Sequence, residues 1–103
     1  MKKGLVMAAL SLLLVAPAAV MAAGADDYNT KGCGACHGAD GTKAQGAIPK
    51  LAGKPAAALA EKLKGYRDGT VKTPMAGLMS NNAKVKSLTD AEIDGIAQWL
   101  GSK

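Results

Sequence analysis

Five consecutive residues, Cys33-Gly34-Ala35-Cys36-His37, carry most of the chemistry legible in this 103-residue sequence, which has no other cysteine or histidine. Two cysteines three apart at a helix start can reach two vinyl groups on neighbouring pyrrole rings and form thioethers. A histidine directly after the second cysteine then lies under the metal of such a ring, and Gly34 and Ala35 keep the turn free of bulk. The pattern C-x-x-C-H is the attachment signal of a c-type haem, and it arises by chance about once in 10⁵ positions of ordinary composition. The expectation is one covalent haem c, bound through Cys33 and Cys36, with His37 as the proximal iron ligand.

Other chemistries fit parts of the motif. A Cys33–Cys36 disulfide suits an oxidising compartment, but so tight a loop adds little to a small domain. A zinc site needs further donors, and no other Cys or His exists. A thioredoxin-like pair wants a βαβ context, and no stretch here alternates as a strand would.

Around the iron, His37 would coordinate through Nε2 as neutral imidazole, its Nδ1–H fixed by an outer acceptor. The candidate acceptor is the carbonyl of Pro49, in Ile48-Pro49-Lys50-Leu51-Ala52-Gly53, where Ile48 or Leu51 can press on the haem face. The plain alternative is a turn packed by two aliphatic side chains. A sixth ligand cannot be a second histidine. Past the first 22 residues only Met75 and Met79 offer a thioether. A His/Met pair raises the haem potential and closes the iron to substrates, unless both methionines merely pack on the haem edge. Arg67 and Tyr66 are candidates for holding a propionate, with exposure and core packing respectively as the simpler readings.

The elements that position these groups begin after a leader. Met1-Lys2-Lys3 is a short positive start, residues 4–20 are almost wholly apolar, and small residues follow at Val20-Met21-Ala22-Ala23. That order is the layout of a secretory signal peptide. Cleavage is placed after Ala22, with one residue later as the next choice. Residues 1–22 are then a removed leader and 23–103 a single exported, periplasmic domain. A retained membrane anchor fits less well, because the apolar run is shorter than the roughly 20 residues a span needs and no basic stop follows. No membrane span is expected after cleavage. Removing Lys2 and Lys3 lowers the net charge from +5 to +3. The basic residues are dispersed, with no interleaved aromatics for stacking on bases, so nucleic acid is not an expected partner.

The remaining domain is small for a self-sufficient hydrophobic core. It has no Phe, and Tyr28, Tyr66 and Trp99 are its only aromatic residues. Something large and apolar outside the sequence must fill the interior, and a haem would do so. Two helices are clearly marked. One runs from Pro55 to about Asp68, with Leu59, Leu63 and Tyr66 on one face and Gly69 as its stop. The other starts at the Thr89 N-cap, with Glu92 completing a capping box and Leu88 stapled to Ile93, and runs to the C-terminus. Gly95 weakens that helix but lets another approach closely. A shorter helix is expected from Ala25 or Asp26 into Cys33, with two aspartates at its positive end. Residues 38–54 and 69–87 read as two loops long enough to suggest that they wrap something.

With these pieces in place, most of residues 25–103 resembles the small bacterial class I cytochromes c, nearest the cytochrome c-553-like group. The likeness rests on Tyr28-Asn29-Thr30-Lys31-Gly32, on Cys36-His37-Gly38-Ala39-Asp40-Gly41, on Ile48 to Gly53, and on Lys64-Gly65-Tyr66-Arg67-Asp68-Gly69. It continues through Met75-Ala76-Gly77-Leu78-Met79 and Leu88-Thr89-Asp90-Ala91-Glu92. The resemblance implies an all-α fold of three to four helices wrapped around one haem. The first and last helices should cross, bringing Tyr28 and Gly32 near Trp99 and Ile96. It also implies a distal methionine from the loop before the last helix. Met79 matches the spacing in similar sequences better than Met75, which stays as the alternative. The function implied is a soluble monohaem electron carrier rather than an enzyme. Redox proteins would dock transiently as donor and acceptor, and the carrier would be a monomer. A haem enzyme subunit or gas-binding module with a labile sixth position is the competing reading.

Overall fold

Helices of very different length make up the chain, which we describe from a computed structural model covering residues 18–44, 48–73 and 76–103. Helix α1 occupies residues 18–30. A turn leads into α2 (Gly34–His37), then come α3 (Ala56–Asp68), α4 (Ala76–Ser80), α5 (Ala83–Lys86) and α6 (Asp90–Gly101). Among the described residues there is no β-strand. The all-α expectation is met.

Helix α6 is the centre of the core, and its start follows the sequence signals. The Thr89 hydroxyl accepts from the Glu92 amide at 3.1 Å, and the Glu92 carboxylate accepts from the Thr89 amide at 2.9 Å. This reciprocal pair satisfies two amides that would otherwise lack helical partners. Leu88 and Ile93 are both buried on either side of the cap, as a hydrophobic staple requires. Ile93, Ile96, Ala97 and Leu100 then line one buried face.

Against that face lies α1. A Cβ on Gly24 would sit 2.0 Å from the Gly95 carbonyl oxygen, so the two backbones touch where neither residue carries a side chain. One turn on, Tyr28 is fully buried, and its ring centroid lies 5.0 Å from that of Trp99, tilted by 51°. Lys31 and Glu92 add an ion pair at 3.4 Å. The expected position of Tyr28 beside Trp99 is therefore observed.

Helix α1 differs from expectation in length. It is already helical at residue 18, not at Ala25 or Asp26. Ala18, Ala19, Ala22, Ala23 and Ala25 all favour helix, and reading them as leader hid that tendency. Asp26 and Asp27 consequently sit inside the helix rather than at its positive end. Residues 1–17 of the expected leader lie outside the described residues.

Helix α3 follows its signals closely. Pro55 occupies the N-cap position, and Gly69 closes the other end in the left-handed conformation, φ 74°, that glycine adopts without strain. Leu59, Leu63 and Tyr66 are half-buried against the core formed by Tyr28, Val85, Leu88, Ile93, Ile96 and Leu100. Lys64 reaches Asp94 at 3.4 Å, tying α3 to α6. The 69–87 stretch is not a plain loop. It folds into α4 and α5, with the Asn82 side chain accepting from the amides of Lys84 and Val85 at the start of α5. Helices of five and four residues are too short to leave a periodic pattern in sequence.

Candidate haem site

Helix α2 is a single turn, and its brevity sets the geometry of the motif. Cys33 has helical angles (φ −59°, ψ −35°), and the His37 amide donates to its carbonyl at 3.1 Å. Cys33, Cys36 and His37 thus stand at i, i+3 and i+4, on one side of one turn. Cys33 is half-buried and Cys36 exposed, and the two thiols are not joined to each other. Burial pushes the Cys33 thiol above its ordinary value, so before attachment it is a neutral thiol at pH 7.

Two supports hold the turn. The Cys33 amide donates to the Tyr28 carbonyl at 3.2 Å, and the Tyr28 hydroxyl donates to the Gly38 carbonyl at 2.5 Å. One buried tyrosine therefore grips both ends of the motif. Burial raises its phenol to about 12, so it remains a donor at any physiological pH. Sequence reasoning placed this ring beside Trp99 but missed the role of its hydroxyl, because an acceptor ten residues away leaves no local signal. Further on, the Lys43 amide donates to the His37 carbonyl at 3.1 Å.

His37 is only 8% exposed. Burial lowers its pKa, and the carbonyl of Pro49 acts in the opposite direction. The imidazole is therefore neutral at pH 7, the form that offers a nitrogen lone pair to a metal. The Pro49 carbonyl faces the ring without reaching hydrogen-bond geometry to Nδ1, which is buried and has no partner. The segment around Pro49 is held by Gly41, whose carbonyl accepts from the amides of Leu51 and Ala52 at 2.9 Å each, and by Gly53 donating to Leu100 at 3.0 Å. That anchoring turns Leu51 inward, half-buried against the core, and leaves Pro49 exposed.

Met79, the expected distal ligand, is half-buried and packs against the same core, while the preceding Leu78 is 66% exposed. Met75, the alternative, lies outside the described residues. Arg67 is not free to hold a propionate: its guanidinium donates to Asp68, to Asp90 at 2.6 Å and to the Leu88 carbonyl at 3.2 Å.

The residues present fit a haem. Among the described residues only two buried side-chain polar atoms lack a partner, His37 Nδ1 and Ser80 Oγ. Iron would meet the imidazole through Nε2, not through Nδ1; the fit rests on Nε2 of a buried imidazole beside two unpaired thiols, and Nδ1 is the atom that an outer acceptor would hold. Zinc fits less well, since among the described residues no group of three His, Cys, Asp or Glu side chains is placed to hold a metal ion.

Comparison with known proteins points the same way. Residues 21–103 match the family described as Cytochrome c. Cytochrome c-554(548) of Halomonas halodenitrificans is 40% identical over 82 residues, spanning 80% of this chain and 94% of that protein. Cytochrome c-553 of Nitratidesulfovibrio vulgaris is 40% identical over 84 residues, 81% of this chain and 78% of that protein. Cytochrome c-553 of Desulfomicrobium norvegicum is 40% identical over 80 residues, 77% of this chain and 94% of that protein.

Proposed function

Because this chain belongs to the cytochrome c family, among its small class I members with covalently bound haem c, we propose that it is an exported one-electron carrier in which His37 and Met79 would hold the iron. The haem supplies reversible one-electron chemistry at iron. The polypeptide does the rest. Cys33 and Cys36 tether the group from one helical face, and the buried His37 presents Nε2 while its neutral state is protected by desolvation. Met79 would approach from the 69–87 segment, Leu51 would press on the haem face, and the Pro49 carbonyl stands beside the imidazole. Retaining both ligands excludes substrates from the metal and keeps reorganisation small. The carrier reading rests above all on one observation: two cysteines and a buried neutral imidazole stand on one side of a single helical turn.

The leader would be removed after Ala22, delivering residues 23–103 to the periplasm as a monomer. No helix among the described residues is long and apolar enough to cross a membrane. Exposed Lys43, Lys50, Lys72, Lys84 and Lys86 would steer acidic redox partners into brief, small interfaces.

Carbon monoxide added to the reduced protein tests the closed site. Inertness at neutral pH is expected. Rapid spectral change would favour the open-site haem enzyme or gas-binding module. Mass spectrometry of the exported protein should report residues 23–103 plus one porphyrin.

A further inference from the structure

The segment that carries Met79 is gripped at its two ends by one side chain. Arg67 lies in the last turn of α3, just before the segment begins. Its guanidinium reaches across to the Leu88 carbonyl and the Asp90 carboxylate, 21 and 23 residues further on, where the segment ends and α6 starts. Asp68 holds the other edge of the guanidinium, with Nε to Oδ1 at 2.9 Å, which fixes the fork in orientation. The Arg67 side chain is 19% exposed, far less than the Asp90 and Asp68 carboxylates at 70% and 54%. Within the span so closed, α4 and α5 pack on α3, Ala76 and Val85 are buried, and Met79 packs against the core.

From this arrangement we propose that Arg67 is a positioning residue for Met79, a clasp that keeps the ligand-bearing segment closed. It rests on the reading of Met79 as distal ligand. Opening the segment needs the clasp to break, because α4 and α5 are too short to hold together alone. Charge-assisted hydrogen bonds are stronger than neutral ones, and the bond to a backbone carbonyl adds a contact that a surface ion pair lacks. Lys64–Asp94 joins the same two helices without enclosing the segment, so it supplies an internal control.

The test uses the ferric holoprotein and added imidazole as a competing ligand. Displacement is followed by loss of the methionine-to-iron charge-transfer band. An equilibrium biased towards the open segment binds the competitor more tightly in proportion. Arg67→Met and Asp90→Asn should each tighten apparent imidazole binding, by about three- to tenfold for the arginine variant. Arg67→Lys should be intermediate, and Lys64→Ala should match the parent. If Arg67→Met does not fold, Asp90→Asn and Arg67→Lys decide by the same measurement. Unchanged binding in the clasp variants, or equal tightening in Lys64→Ala, overturns the clasp while leaving the ligand intact. A parent protein with no such band overturns the ligand assignment and, with it, the role of Arg67.

Discussion

Ile93 and Tyr28 have no exposed surface, and each carries a distinct kind of stabilisation. Ile93→Ala removes buried methyl groups from the middle of α6 and should destabilise the holoprotein by about 2–5 kcal/mol in chemical denaturation. Tyr28→Phe keeps the ring against Trp99 but deletes the bond to the part-buried Gly38 carbonyl, which retains only the Gly41 amide at 3.4 Å, and should cost about 0.5–1.5 kcal/mol. For Met79 as the proposed distal ligand, Met79→Ala should abolish the charge-transfer band of the ferric protein, whereas Met75→Ala should leave it; the reverse result reassigns the ligand. The motif residues were legible in sequence because their chemistry is contained within one turn. The Tyr28 hydroxyl and the engagement of Arg67 were not, since their partners come from distant positions that only the fold brings near. Pro49 illustrates a third case. Its carbonyl lies beside the imidazole, yet the bond to Nδ1 that an outer acceptor would make is not formed.

Elements divide in the same way. The capping box of α6 and the glycine stop of α3 were both readable, because each is a pattern of four or five adjacent residues with a defined backbone consequence. Thr89→Ala should cost about 1 kcal/mol by removing the acceptor at the helix start. The crossing of α1 with α6 makes a sharper, asymmetric prediction. A Cβ at Gly95 would meet the Gly24 Cα at 3.4 Å, ordinary contact, whereas one at Gly24 would collide with backbone. Gly24→Ala should therefore destabilise by about 1–3 kcal/mol through overpacking. Gly95→Ala should be close to neutral, since the gain in helix propensity of up to about 1 kcal/mol offsets the tighter contact. Thermal melts of the two holoproteins compare them directly. The short helices α4 and α5 escaped the sequence because their stability comes from packing on α3 and from the Asn82 cap, not from any repeat of their own.

At the scale of the whole molecule, the scarcity of large side chains becomes decisive. With so few bulky core residues in a small domain, the polypeptide without haem should lack fixed tertiary packing; a native-like near-UV circular dichroism spectrum of the haem-free chain would contradict this. Acid should also weaken the holoprotein. Arg67 holds the Asp90 carboxyl below its ordinary value, and the Thr89 amide does the same for Glu92. Groups depressed in the folded state contribute fully above their unfolded value of about 4 and lose that contribution as pH falls through the native one. The melting temperature should decline below that point, and Glu92→Gln should flatten the decline. Finally, the tilted ring pair at the crossing of the terminal helices gives the molecule an intrinsic optical gauge. Trp99 is the sole indole, and at 5.0 Å it lies within easy energy-transfer range of Tyr28. In the haem-bound protein its emission would be quenched by transfer to the porphyrin, so its recovery during unfolding should time the moment when the last helix leaves the core.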